Sequence, residues 1–160
     1  MKDLLSRALE LANKSHKGQT RWDKKTPYVT HPIAVVRMIA EFGFPGEVQV
    51  VAALHDVVED TSITLIDLKR LGYPEEIVDA VDAMSRRNGE DGKEDYLAYI
   101  LRVKENSIAR VVKIFDITHN LSDVKPKGKG GGSMRDKYRV ARHFLASGDE
   151  HLEMVMEGLA

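Results

Sequence analysis

The stretch ALHDVVEDT, residues 53–61, gathers His55, Asp56, Glu59 and Asp60 within six positions, just after the apolar run VQVVAAL. An apolar helical run fills a core, and lone ionised carboxylates buried in a core cost several kcal/mol or more. Their placement therefore calls for a chemical reason. His55 and Glu59 are four apart, as are Asp56 and Asp60, so each pair shares a helical face. Adjacent His55 and Asp56 lie about 100° apart around a helix axis and can straddle one ion. A divalent cation accounts for the cluster, because it stabilises neighbouring carboxylates that would otherwise repel.

Two ligands do not complete a site, and two other positions can supply the rest. His31 precedes Pro32 at a helix start, where a side chain can face a cleft. Asp116 interrupts the apolar helix VVKIFDITHN, with Asn120 one turn later on the same face. A His/His/Asp/Asp set mixes borderline nitrogen with hard oxygen. That mixture suits Mn²⁺ or Fe²⁺, is compatible with Zn²⁺, Co²⁺ and Ni²⁺, and leaves water in the remaining positions. Taken singly, each residue has a bland account. A His-Asp dipeptide arises by chance, Asp116 fits a hydrogen-bonded core aspartate, His31 a cap, and Glu59 and Asp60 a solvated helix end. Their joint occurrence, in this order, points to one site.

The elements that position these residues are helices, since the apolar period stays close to 3.6. Leu4, Leu5, Ala8, Leu9 and Ala12 form one face of a first helix. Thr30-His31-Pro32 opens a second, with proline in the first turn where its missing N–H costs nothing. A third spans about 47–58, and Thr64 with Asp67 forms a loose capping box for a fourth. A fifth starts at Pro74 and ends around 87–89; further helices cover about 94–104, 107–121, 135–146 and 150–159. No alternating strand pattern is evident. Residues 18–29 and the Gly- and Lys-rich 125–133 read as loops, the second flexible, serving as a surface linker or as a basic lid over a phosphate.

At 160 residues the chain is about one domain long, and 42% hydrophobic with 31% charged residues fits a soluble globular fold. A net charge of -1 predicts neither nucleic-acid nor membrane binding, although a local basic surface can hold a small anion. With no cysteine, disulfides, thiolate metal sites and a cysteine nucleophile are excluded. The N-terminus lacks a signal-peptide apolar block and no run is long enough to span a membrane, which fits a cytoplasmic protein.

HP at 31–32, HDVVEDT at 55–61 and VKIFDITHN at 112–120 resemble the HD-domain metal phosphohydrolases. More narrowly, the chain resembles the hydrolase domain of the RelA/SpoT family and its stand-alone relatives, the small alarmone hydrolases, from about residue 8 to residue 144. The stretch SHKGQTRWDKKTPYVTHP is similar to that family's pattern of His, Gln, Arg, then Pro-Tyr, then His-Pro; the ED after HDVV is the more specific feature. Trp22 stands where relatives often have a second basic residue.

The resemblance implies an all-α, HD-domain helical bundle with a central metal site, a single domain over 1–160. It implies His31, His55, Asp56 and Asp116 as metal ligands, with Mn²⁺ the usual ion. Glu59 and Asp60 match the pair that positions and activates the attacking water. Asn120 matches a nucleotide contact, Arg21 a residue lining the substrate cleft, and Tyr138 a tyrosine near the substrate phosphate or sugar, with Arg135 its basic neighbour. The implied reaction is Mn²⁺-dependent hydrolysis of (p)ppGpp to GDP or GTP and pyrophosphate by metal-activated water. Another nucleotide phosphohydrolase, such as an NADPH 2′-phosphatase or nucleotidase, and a metal-bound nucleotide sensor or interaction module with weak or no turnover remain open. Lys17, Arg21, Arg86, Arg87, Arg135 and the loop lysines can neutralise phosphate charge, and Trp22 or Tyr28 can stack on a base, with packing the favoured role for Tyr28. The expected partner is a small anionic nucleotide, with no nucleic-acid polymer and no membrane, and a homo-oligomer stays open.

Overall fold

A computed structural model describes residues 2–89, 92–123 and 131–160. The helices follow the apolar period. They are α1 (Lys2–Ser15), α2 (Thr30–Glu41), α3 (Gly46–Leu54), α4 (Val57–Asp60), α5 (Leu65–Arg70), α6 (Glu75–Met84), α7 (Tyr96–Glu105), α8 (Ser107–Ser122), α9 (Gly131–Ala146) and α10 (Glu150–Gly158). The architecture is the expected all-α bundle. VVKIFDI is helical within α8 despite its β-branched residues, because Val112, Phe115 and Ile117 find a core to fill.

α3 is the axis of the bundle and packs against α1, α2, α6 and α8. Its residues Val48 and Val50 to Leu54 are buried on every side, the pattern of a helix surrounded by others. Ala52 and Ala53 are buried among these neighbours. Phe115 of α8 meets Phe42 and Phe44 edge-on, with ring centroids 5.4 and 5.7 Å apart. No helix among the described residues is long and apolar enough to cross a membrane.

Four boundaries differ from the sequence reading. The helix expected over 47–58 is broken after Leu54; a turn at His55-Asp56 separates α3 from α4. His55 Nδ1 donates to the Ala52 carbonyl at 2.7 Å, so a side chain occupies an acceptor of the last turn. α6 stops at Met84 rather than at 87–89. Beyond it, β1 (Asn88–Gly89) and β2 (Gly92–Lys93) pair as an antiparallel ribbon, where no strand was expected. Two-residue strands are too short to show alternation. α9 begins at Gly131, so part of the loop expected over 125–133 is helical backbone, and 125–130 lie outside the described residues. The capping box forms as predicted: Thr64 Oγ1 accepts from the Asp67 amide at 3.2 Å, and Asp67 accepts from the Thr64 amide at 2.9 Å.

Candidate metal centre

Three parts of the bundle deliver the site. His31 lies in the first turn of α2, His55 and Asp56 form the turn between α3 and α4, and Asp116 faces inward from α8. His31 and His55 are each 1% exposed. His31 Nε2 lies 3.0 Å from Asp116 Oδ1 and 3.3 Å from His55 Nε2. His55 Nε2 lies 3.0 Å from Asp56 Oδ2, and that oxygen is 3.8 Å from His31 Nε2. His55 and Asp56 thus sit side by side at the turn between the two helices.

The donor set fits a divalent cation. His31, His55 and Asp116 each offer an atom within 4.8 Å of the others. Imidazole nitrogen and carboxylate oxygen bind first-row ions at roughly 2.0–2.2 Å, so neighbouring donors about one ion lie about 3 Å apart. Because His55 Nδ1 donates to Ala52, a neutral His55 turns its Nε2 lone pair inward. His31 Nδ1 meets His119 Nδ1 at 2.8 Å, and donation to His119 leaves the His31 Nε2 lone pair inward too.

The electrostatics follow from this crowding. Burial opposes a charged His55, but the Asp56 and Asp116 carboxylates outweigh it and hold its pKa well above the ordinary value. Burial likewise opposes ionised Asp56 and Asp116. His55 and His31 nevertheless hold Asp56 low, and Lys113 with both histidines holds Asp116 well below the usual range. Asp60 is pushed up by burial and by the nearby Asp56 and Glu59 charges.

A cleft of about 370 Å³ opens onto the cluster and is lined by Arg21, Glu59, Asp60, Arg86, Asn120 and Tyr138 among the predicted residues. Both oxygens of Glu59 are engaged: Lys93 Nζ lies 2.8 Å from Oε1, and the Arg86 amide donates to Oε2 at 2.9 Å. Asn120 donates to Asp116 Oδ1 at 2.7 Å and accepts from Arg21 Nη2 at 2.9 Å. The Arg21 guanidinium also pairs with Asp123. Among the described residues, three predicted basic ones do not line the cleft; one of them, Arg87, pairs instead with Asp82 at 3.5 Å. Lys17 is exposed just beyond α1, and Arg135 donates to the Leu121 carbonyl at 3.0 Å, tying α9 to the end of α8.

Sequence reasoning missed several residues of the site. Tyr28, assigned to packing, donates its hydroxyl to Asp56 Oδ2 at 2.6 Å. Lys113, with 14% of its side chain exposed, pairs with Asp116 Oδ2 at 2.8 Å, while Oδ1 meets His31 Nε2 and the Asn120 amide. Its position three before Asp116 on one helix was the signal. Lys93 and Asp123 carried none, since each acts on a residue far away in sequence.

The comparisons agree with this geometry. Bifunctional (p)ppGpp synthase/hydrolase SpoT of Escherichia coli K12 is 32% identical over 149 residues, which cover 88% of this chain and 20% of that protein. Guanosine-3′,5′-bis(diphosphate) 3′-pyrophosphohydrolase of Vibrio cholerae is 34% identical over 147 residues, 89% of this chain and 20% of that one. The chain thus spans about a fifth of the length of these curated relatives. Among solved structures, a metazoan SpoT ortholog described as hydrolysing ppGpp superposes with a TM-score of 0.74 at 24% identity. The match covers 98% of this chain and 93% of that one, and shows a shared fold. The model of the HD domain matches residues 8–135. With the histidines and aspartates of its motif meeting at the centre of the bundle, the chain belongs to the HD-domain family.

Proposed function

We propose that the chain is a cytoplasmic Mn²⁺-dependent 3′-pyrophosphohydrolase that cleaves (p)ppGpp to GDP or GTP and pyrophosphate. The observation that carries this is the meeting of His31, His55, Asp56 and Asp116 beneath a cleft whose rim holds Glu59, Asp60, Arg86 and Lys93. The names of the relatives at 32 and 34% identity support the substrate.

When bound, a divalent ion supplies Lewis acidity, lowering the pKa of water and neutralising phosphate charge. The chain's own residues do the rest. Arg86, Lys93 and Lys113 line the cleft and offset the charge of a diphosphate. Glu59 accepts the proton of the attacking water, and Asp60 fixes that water's orientation. The water oxygen bonds to the phosphorus nearest the sugar. The bond from that phosphorus to the 3′-oxygen breaks, the 3′-oxygen takes a proton, and pyrophosphate leaves. Lys93, paired with Glu59 in this structure, exchanges that partner for a substrate phosphate and so frees the carboxylate for its role.

The test is a substrate panel. Purified protein with Mn²⁺ is incubated with ppGpp, pppGpp, NADPH and nucleoside monophosphates, and products are separated by anion exchange. Pyrophosphate from the alarmones is expected. Orthophosphate from NADPH or a monophosphate, or tight binding without product, overturns the proposal.

A further inference from the structure

We propose that Trp22 is the nucleobase platform of this cleft, stacking on the base of the nucleotide whose phosphates face the metal cluster. The inference rests on the nucleotide reading above and adds the orientation of the ligand.

The cleft lining combines cationic side chains with aromatic rings. Arg86, Lys93 and Lys113 supply cations near the cluster, suited to phosphates. Arg21, Trp22 and Tyr28 line the same cleft, with Tyr28 reaching the cluster through Asp56 and Trp22 beside Arg21. Arg21 is cationic in name, but only 8% exposed and committed to Asp123 and Asn120. Its guanidinium lies over the indole ring and supports it from within the fold. The guanidinium carbon lies 5.3 Å from the Trp22 ring centroid and 5.6 Å from that of Tyr28.

Trp22 itself is 44% exposed while lining the cleft. A large indole face left partly in water gains free energy when a flat apolar partner covers it. Its backbone is held in place. The Thr20–Pro27 bridge closes the segment, the Arg21 amide donates to the Thr26 carbonyl at 2.8 Å, and Asp23 Oδ1 accepts from the Lys25 and Thr26 amides. A platform fixed in advance loses little entropy when a ligand docks. Every base has a π-face, so stacking distinguishes nucleotides from inorganic phosphates rather than one base from another.

Trp22 is the single tryptophan of the chain, so its emission reports on the cleft without any substitution. The full chain with Mn²⁺ is titrated with GDP, AMP and inorganic pyrophosphate. Saturable emission changes are expected with both nucleotides and none with pyrophosphate. In calorimetry, Trp22→Leu should weaken GDP binding about tenfold and leave pyrophosphate binding unchanged, with Trp22→Phe restoring most of the loss. Unchanged emission while calorimetry records GDP binding, or a wild-type GDP affinity in Trp22→Leu, overturns the proposal. Because the wild-type titration needs no variant, a poorly folded Trp22→Leu does not decide the matter. If GDP perturbs Trp22 but no alarmone is cleaved, the reaction assignment fails and the platform stands. If alarmone is cleaved while Trp22 stays silent, only the platform falls.

Discussion

Tyr28 donates its hydroxyl proton to the Asp56 oxygen that faces the imidazoles, while its ring stands edge-on to His31. Burial and the Asp56 charge raise its pKa, so the phenol keeps that proton throughout the working pH range. It therefore aims Asp56 without competing for its charge. Tyr28→Phe keeps the ring and deletes the bond. Affinity for Mn²⁺, measured by calorimetric titration, should fall about tenfold, as for other partners that orient metal ligands; an unchanged affinity denies the role. Glu59 is the opposite case, a carboxylate outside the donor cluster. Glu59→Gln keeps the shape and the bond from the Arg86 amide but cannot take a proton. Turnover should vanish with metal content by elemental analysis unchanged, and near-normal rates would refute the assignment. At this scale the clustered histidines and aspartates were legible because polar residues stood in apolar surroundings. Tyr28 and Lys93 were not, because a hydroxyl 28 positions from its acceptor and an ammonium 34 from its partner become neighbours only through folding.

At the scale of elements, the link between α6 and α7 carries cleft residues and is anchored by Arg102 and Glu94. Arg102 of α7 donates to both carboxylate oxygens of Glu94, at 3.2 and 2.7 Å, and to the Asp82, Ala83 and Ser85 carbonyls at the end of α6. A cation there also complements the negative end of a helix. Glu94 follows Lys93 directly, so the same pair fixes the ribbon that reaches Glu59. The Arg102 hydrogen bonds, against a smaller opposing effect of burial, hold the Glu94 carboxyl below its ordinary range. A depressed carboxyl contributes stability that is present above its unfolded pKa of roughly 4.3 and is lost as pH falls through the folded value. Glu94→Gln should therefore melt at a lower temperature than wild type near neutrality, and the gap should close below about pH 4. A gap that persists in acid would mean the effect is not the charge. This anchor illustrates what periodicity omits. The helices were legible from their apolar faces, whereas the stop at Met84 and the ribbon depend on Arg102 and Glu94 meeting across a turn. The break after Leu54 likewise depends on the His55 imidazole reaching its own helix's backbone.

For the whole molecule, the donor cluster joins segments that are distant in sequence, at His31, at His55-Asp56 and at Asp116. An ion held by all of them binds the native chain and not the unfolded one. At a concentration one hundred times its Kd it stabilises the fold by about 2.7 kcal/mol. For a domain of this size each kcal/mol shifts the melting temperature by roughly 2–4 °C, so chelation should lower it by about 5–10 °C. The fold should nonetheless survive, because the helices that carry the donors are packed independently of them. Val35 and Ile39 of α2, Val50, Val51 and Leu54 of α3, and Ile114, Phe115 and Ile117 of α8 are all fully buried. Lys113 continues to balance Asp116 when no ion does. Differential scanning calorimetry of the chelated chain should show the lower transition with native far-UV dichroism at 25 °C, reversed on adding Mn²⁺. An identical melting temperature after elemental analysis confirms metal removal would show that the cluster does not clasp an ion across these segments. A collapse of helicity on chelation would show that the ion, rather than the core around α3, holds the bundle together.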